Sequence, residues 1–271
     1  MVKVRLVAMG NIVDELNSFQ ITHWKSRLFS IEKEIKRGIL PQKADAIPWA
    51  YSDGILEKSF SKINHPSNVD ITFYILDAPI ENNYLSRVLS QNRIVLTFYQ
   101  AKQILEKENI PLENYVMSHI YAYVLLYLAK ANKKLEPTDE IYISHDYKEG
   151  CLFDMCGVKS DVIYKCVQPI ICEQCKAYLI SHGVLRDDIK IAEKEQKKLK
   201  RTLYNSFVMK LKSYPVLAFV LSLFFAFLMS ILANYATGNC EVIHKITWCA
   251  WFLIIFVSFI GSVISKKYFN I

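Results

Sequence analysis

Glycine is scarce in this chain, with eight in 271 residues. There is no glycine-rich phosphate loop and no G-x-S-x-G turn, which argues against nucleotide-cradling and α/β-hydrolase chemistry. The first ten residues, MVKVRLVAMG, are too short and too interrupted to form the apolar core of a secretory signal, so the N-terminal part is expected in the cytosol. Charge is missing from two long stretches, Ser213 to Gly238 and Ile246 to Ser265. Neither carries the ionisable residue that transporters and proton pumps keep inside their helices. Internal repeats and low-complexity tracts are also lacking.

Apolar residues are plentiful, at 52%, and most of the excess follows Ser213. The run Pro215–Ala236 has 22 residues, about 33 Å as a helix, enough for a bilayer core of about 30 Å. A second uncharged run covers 246–265, with nine residues between the two. The expectation is a transmembrane hairpin over 213–267, with spans at 215–236 and 246–265. Lys/Arg residues crowd the flank before the first run, and Lys266 and Lys267 follow the second, whereas the short loop has only Lys245. That asymmetry predicts an inner-membrane protein with two spans and both termini in the cytoplasm. Ala218, Ser222, Ala226, Ser230 and Asn234 recur every four residues on the first run. Such a stripe suits close helix packing, between the spans or between copies in a homo-oligomer.

The net charge of +7 is also uneven, with eight Lys/Arg against two Glu from Lys190 to Lys212. A basic helix over 187–212, with Leu199, Leu203, Phe207 and Leu211 on one face, points to an anionic lipid surface rather than to direct nucleic-acid binding. The remaining segment, 1–186, reads as a cytosolic α+β domain. Strands are predicted at 3–9, 69–76 and 94–98, helices at 24–37 and 112–133, and a short extended piece at 141–144.

Five of the seven cysteines fall between Cys151 and Cys175. In a reducing compartment such a cluster suggests metal rather than disulfides. The pattern is His145, then Cys151, Cys156, Cys172 and Cys175, the last two as C-x2-C. A C-x2-C pair joined by donors from a separate loop matches a structural zinc site. The spacing leaves open whether Cys156 or His145 is the fourth ligand. Cys166 is spare and expected to pack in the core.

The run from His145 through Cys151-Leu-Phe-Asp to Cys172-x-x-Cys175 resembles the C-terminal half of archaemetzincin-type zincin metallopeptidases. The resemblance spans roughly 114–179. It implies His145 as the third catalytic ligand and Cys151, Cys172 and Cys175 as structural zinc ligands. The preceding helix departs from the family motif. His119 is followed by Ile120 where the general base would stand, and by Tyr123 where the second histidine would stand. A zinc hydrolase needs three protein ligands and a base to activate water, so the expectation is a degenerate, non-catalytic zincin-like domain holding structural zinc. A membrane-anchored zinc peptidase and a membrane-tethered adaptor are the alternatives.

A cytosolic domain, a basic helix and a charge-free hairpin together resemble the two-transmembrane effectors of bacterial antiviral systems, including those paired with retrons. That resemblance implies a membrane-damaging effector that causes abortive infection. It also implies the lipid bilayer and a cytosolic regulatory partner, such as a reverse transcriptase–RNA complex, as partners.

Overall fold

The computed structural model describes residues 1–10, 12–41, 43–46, 49–63, 66–199 and 215–236. The chain divides into two units, Met1–Thr202 and Leu203–Ile271.

The first unit is built on a sheet whose strands are β1 (Val2–Met9), β2 (Phe29–Ile31), β3 (Lys36–Gly38), β4 (Ile71–Leu76), β5 (Ser86–Val88) and β6 (Arg93–Thr97). The order is β2-β1-β4-β6-β5, with β3 also pairing with β1. Every pairing is parallel except the β5–β6 hairpin at the edge. β4 and β6 are buried at every position, as expected for parallel strands covered on both faces.

Two helices supply those covers. α2 (Asp53–Phe60) closes one face, where Leu56 and Phe60 join Val7, Met9, Tyr74, Leu76 and Val95 in a single cluster. Phe60 stacks on Tyr74 at 3.9 Å between ring centroids. α4 (Leu112–Ala129) covers the other face, where Tyr123 meets Phe73 edge-on at 5.7 Å and Tyr121 meets Phe29 at 5.0 Å. Phe73 and Tyr74 are sequence neighbours on opposite faces, as the two-residue strand period requires. α4 is buried almost all round because α6 (Val162–Val167), α7 (Glu173–Ser181) and α8 (Arg186–Gln196) pack on its outer side. The remaining helices of this unit are α1 (Ser18–Thr22), α3 (Ala101–Lys107) and α5 (Pro137–Ile143).

Several expectations are corrected. The domain is a mixed α/β layer structure rather than α+β, because its strands are mostly parallel and helices lie on both sheet faces. The helix expected over 24–37 is replaced by β2 and β3, whose backbones find partners along β1. The extended piece expected at 141–144 is the end of α5. Pro137 stands where a helix tolerates a missing N–H, and the Glu136 amide donates to the Asp139 carboxylate at 2.8 Å.

The transmembrane expectation is corrected as well. Among the described residues no helix is long and apolar enough to cross a membrane, which overturns both the hairpin and the inner-membrane location derived from it. The apolar run does form a helix, α9 (Pro215–Ala236). Ser222, Ala226 and Ser230 on it are exposed, and the Ser222 hydroxyl donates to the Phe219 carbonyl of its own helix at 2.7 Å. The side chains of Ala218 and Asn234, the basic residues over 200–214 and the second run over 246–265 lie outside the described residues.

Candidate metal centre

Four side chains converge where three loops meet. The donor atoms of His145, Cys151, Cys172 and Cys175 all lie within 4.8 Å of one another. The chain directs each of them by a local device. His145 follows the end of α5 and is held by a short bridge, its amide donating to Phe153 O at 3.2 Å and its carbonyl accepting from Met155 N at 2.8 Å. Cys151 follows Gly150, whose φ of +79° suits glycine and whose missing Cβ would sit 3.2 Å from the Gln168 carbonyl. A second bridge then anchors this loop, with Ile170 N donating to Gly150 O and Leu152 N to Ile170 O, both at 2.9 Å. Cys172 is the N-cap of α7 and Cys175 sits in its first turn. The positive end of a helix favours thiolate.

The spacings fit a tetrahedral ion. The sulfurs of Cys151 and Cys175 are 3.8 Å apart, and Cys172 Sγ is 3.4 Å from His145 Nε2. Zinc bonds of about 2.3 Å to sulfur and about 2.0 Å to nitrogen give tetrahedral edges of roughly 3.8 and 3.5 Å. His145, Cys151 and Cys175 are buried and Cys172 is half-buried. The neighbouring Cys175 thiol is the main cause that lowers the Cys151 thiol, with burial opposing and the Cys172 and Phe153 amides and His145 adding to it. A metal ion would bind both sulfurs as thiolates and displace their protons. The donor set therefore fits zinc.

Cys156 is not in this group. Its backbone is left-handed, with φ +51°, and its thiol turns to the Asp154 carbonyl at 3.7 Å. Cys166 is fully buried, and burial raises its thiol well above the usual range. Asp154 accepts from Cys156 N at 2.9 Å within its own loop, and Asp161 precedes the first turn of α6.

His119 lies apart from the metal group, among core side chains of α4. Its Nδ1 bonds the Tyr115 carbonyl at 2.8 Å, and its Nε2 is buried without a partner. Burial, with Lys165 nearby, lowers it to about 3, against a smaller raising effect of the Tyr115 carbonyl, so it is neutral at physiological pH. Tyr123, one turn on, donates to Glu140 Oε1 at 2.5 Å and contacts Ser86 Oγ at 2.8 Å. His119, Ala122 and Tyr123 line a cavity of about 360 Å³ that also meets Glu140, Phe153 and Lys165. Glu140 was not anticipated from the sequence, where it reads as one more acidic residue in the first turn of a helix. Burial is the main cause that pushes its carboxyl up to about 7, against Tyr123, Val88 N and Arg87.

No protein-family model and no curated protein matches this chain. Among solved structures it is similar to archaemetzincin from Methanopyrus kandleri, at 13% identity and a TM-score of 0.43 over 67% of this chain and 94% of that one.

Proposed function

We propose that the first unit is a zinc-stapled recognition domain that does not hydrolyse what it binds. The observation carrying this reading is that His145 Nε2 is spent on the cysteine group, 3.4 Å from Cys172 Sγ. Four protein donors close a tetrahedral zinc, and a closed site has no position for the water that a catalytic zinc activates. The remaining residues of the departed motif support the same reading. Ile120 cannot act as a base, and the Tyr123 hydroxyl is tied to Glu140 and Ser86. Among the described residues, no second group of three or more His, Cys, Asp or Glu side chains converges. The zinc serves to fix the loops carrying residues 144–155, which form one wall of the cavity beside α4.

The antiviral-effector expectation, with its regulatory partner and its homo-oligomer, depends on a membrane hairpin that the described residues do not supply. The recognition reading takes nothing from it.

The test is a metal count paired with a hydrolysis assay on the full chain prepared in zinc. One zinc per chain and no cleavage of a mixed peptide pool is the expected result. Two zinc ions per chain, or cleavage that disappears in His119→Ala, would favour the peptidase alternative.

A further inference from the structure

The cavity beside α4 holds polar groups that its own walls leave unspent. Three matter. His119 is 2% exposed and lines the cavity, and its Nε2 is a buried acceptor with no partner, because Nδ1 is committed to the Tyr115 carbonyl. An orphaned buried nitrogen of this kind costs stability unless a donor reaches it. Lys165 on α6 is 4% exposed, and its ammonium donates once, to the Asp154 carbonyl at 2.6 Å. It forms no ion pair with any described carboxylate, and two of its three N–H donors remain. The Asp154 carboxyl group lies close enough to attract it, but a buried ammonium with two unused donors still favours a further acceptor. Glu140 on α5 uses Oε1 for the Tyr123 hydroxyl and the Val88 amide. Between these groups the lining is mixed, with apolar Ala122, Leu126, Ile143, Leu152 and Phe153 beside the polar Arg87 and Asp154.

The walls thus offer the Lys165 ammonium with two spare donors, the Arg87 guanidinium already paired with Asp53, the carboxyl groups of Glu140 and Asp154, and the neutral acceptor His119. A simple carboxylate would satisfy Lys165 and leave His119 Nε2 without a donor. A simple amine would satisfy His119 and Glu140 and leave the two remaining Lys165 donors unused. A zwitterion with an apolar side chain answers all three. We propose that this cavity binds a free amino acid with an apolar side chain, its carboxylate on Lys165 and its ammonium on His119 Nε2 and Glu140. This deepens the recognition reading and rests on it. The occupant is a ligand, and no bond in it is broken.

The experiment is calorimetric titration of the full-length zinc-loaded chain with four probes: leucine, isocaproate (the acid without the amine), isoamylamine (the amine without the acid) and N-acetyl-leucine amide, which carries neither charge. Leucine is expected to bind at least 10-fold more tightly than each of the others. Lys165→Met is expected to lose roughly 10- to 100-fold of that affinity, the worth of one charge-assisted contact. Glu140→Gln, at the half-buried wall of the cavity, serves as the second variant should Lys165→Met fail to fold, and a loss of about 10-fold is expected from it. The proposal is overturned by absence of leucine binding, by isocaproate or the blocked amide binding as well as leucine, or by unchanged affinity in Glu140→Gln. Zinc content and peptide hydrolysis are read on the same sample. A chain with one zinc, no hydrolysis and no leucine binding refutes the ligand while leaving the zinc-stapled reading standing.

Discussion

The sulfurs of Cys151 and Cys175 stand 3.8 Å apart although 24 residues separate them in the chain. One comes from a glycine-led turn and the other from the first turn of α7. That separation is the edge of a zinc tetrahedron. It follows that metal binding and folding of the region 145–175 are coupled.

Removal of the metal should therefore cost the domain several kcal/mol of stability. In thermal unfolding, a strong chelator should lower the midpoint of the parent and have little effect on Cys175→Ser, which is already destabilised. Cys156→Ala and Cys166→Ala should keep their sensitivity to chelation, because neither thiol belongs to the group. Unchanged melting of the parent in chelator would count against a structural ion.

Glu195 on α8 predicts a second stability effect, far from the metal. It is 5% exposed and accepts from the Ser26 hydroxyl at 2.7 Å, the Arg27 amide at 2.9 Å and the Tyr121 hydroxyl at 2.8 Å. The Trp24 indole N–H in turn reaches Tyr121 Oη at 2.9 Å. Glu195→Ala leaves the buried Tyr121 hydroxyl and the Ser26 and Arg27 donors without this acceptor and should cost about 2 kcal/mol in denaturant unfolding. Glu195→Gln should cost less, since one amide oxygen still accepts.

Glu140 gives a pH signature. Its carboxyl lies at about 7 in the fold, against an ordinary value of 4.5. The folded chain therefore binds more protons than the unfolded one between those two values, and this group's contribution falls as pH rises through that window. At about 1.4 kcal/mol per pH unit, the whole window is worth roughly 3 kcal/mol. The groups facing it are Tyr123 from α4, Arg87 and the Val88 amide from β5, and Asp53 from α2. His119 works with the opposite sign. Held at about 3, it contributes stability that is lost as pH falls through 6.5. The two are separated by subtraction. Glu140→Gln should gain on the parent steadily from pH 5 to pH 7.5 in denaturant titrations. A constant difference over that range would contradict the assignment.

Much of the central sheet was legible before the structure. β4 and β6 are near-continuous apolar runs, and β1 alternates before it becomes fully buried, so propensity and tertiary environment agree there. β2 and β3 were not legible. They are three-residue edge strands whose pairing comes from β1 rather than from any local pattern. α5 hid because its last residues, Ile141 to Ile143, include two β-branched isoleucines, while its start is fixed by Pro137 and Asp139. Of the metal site, cysteine spacing pointed to Cys151, Cys172 and Cys175, and His145 was one of two open choices. What excludes Cys156 is its left-handed backbone, which spacing does not reveal. The cavity was invisible in sequence, because His119, Glu140 and Lys165 meet only through the packing of α4, α5 and α6. The apolar run at Pro215–Ala236 is a helix, but among the described residues no helix is long and apolar enough to cross a membrane.

The most direct test of the central claim is cobalt substitution of the full chain, read by visible absorption. One cobalt per chain is expected, with intense tetrahedral bands and sulfur charge-transfer absorption that diminish in Cys172→Ser and shift in His145→Ala but persist in Cys156→Ser. A weak octahedral spectrum, or bands that depend on Cys156 and not on His145, would contradict the account.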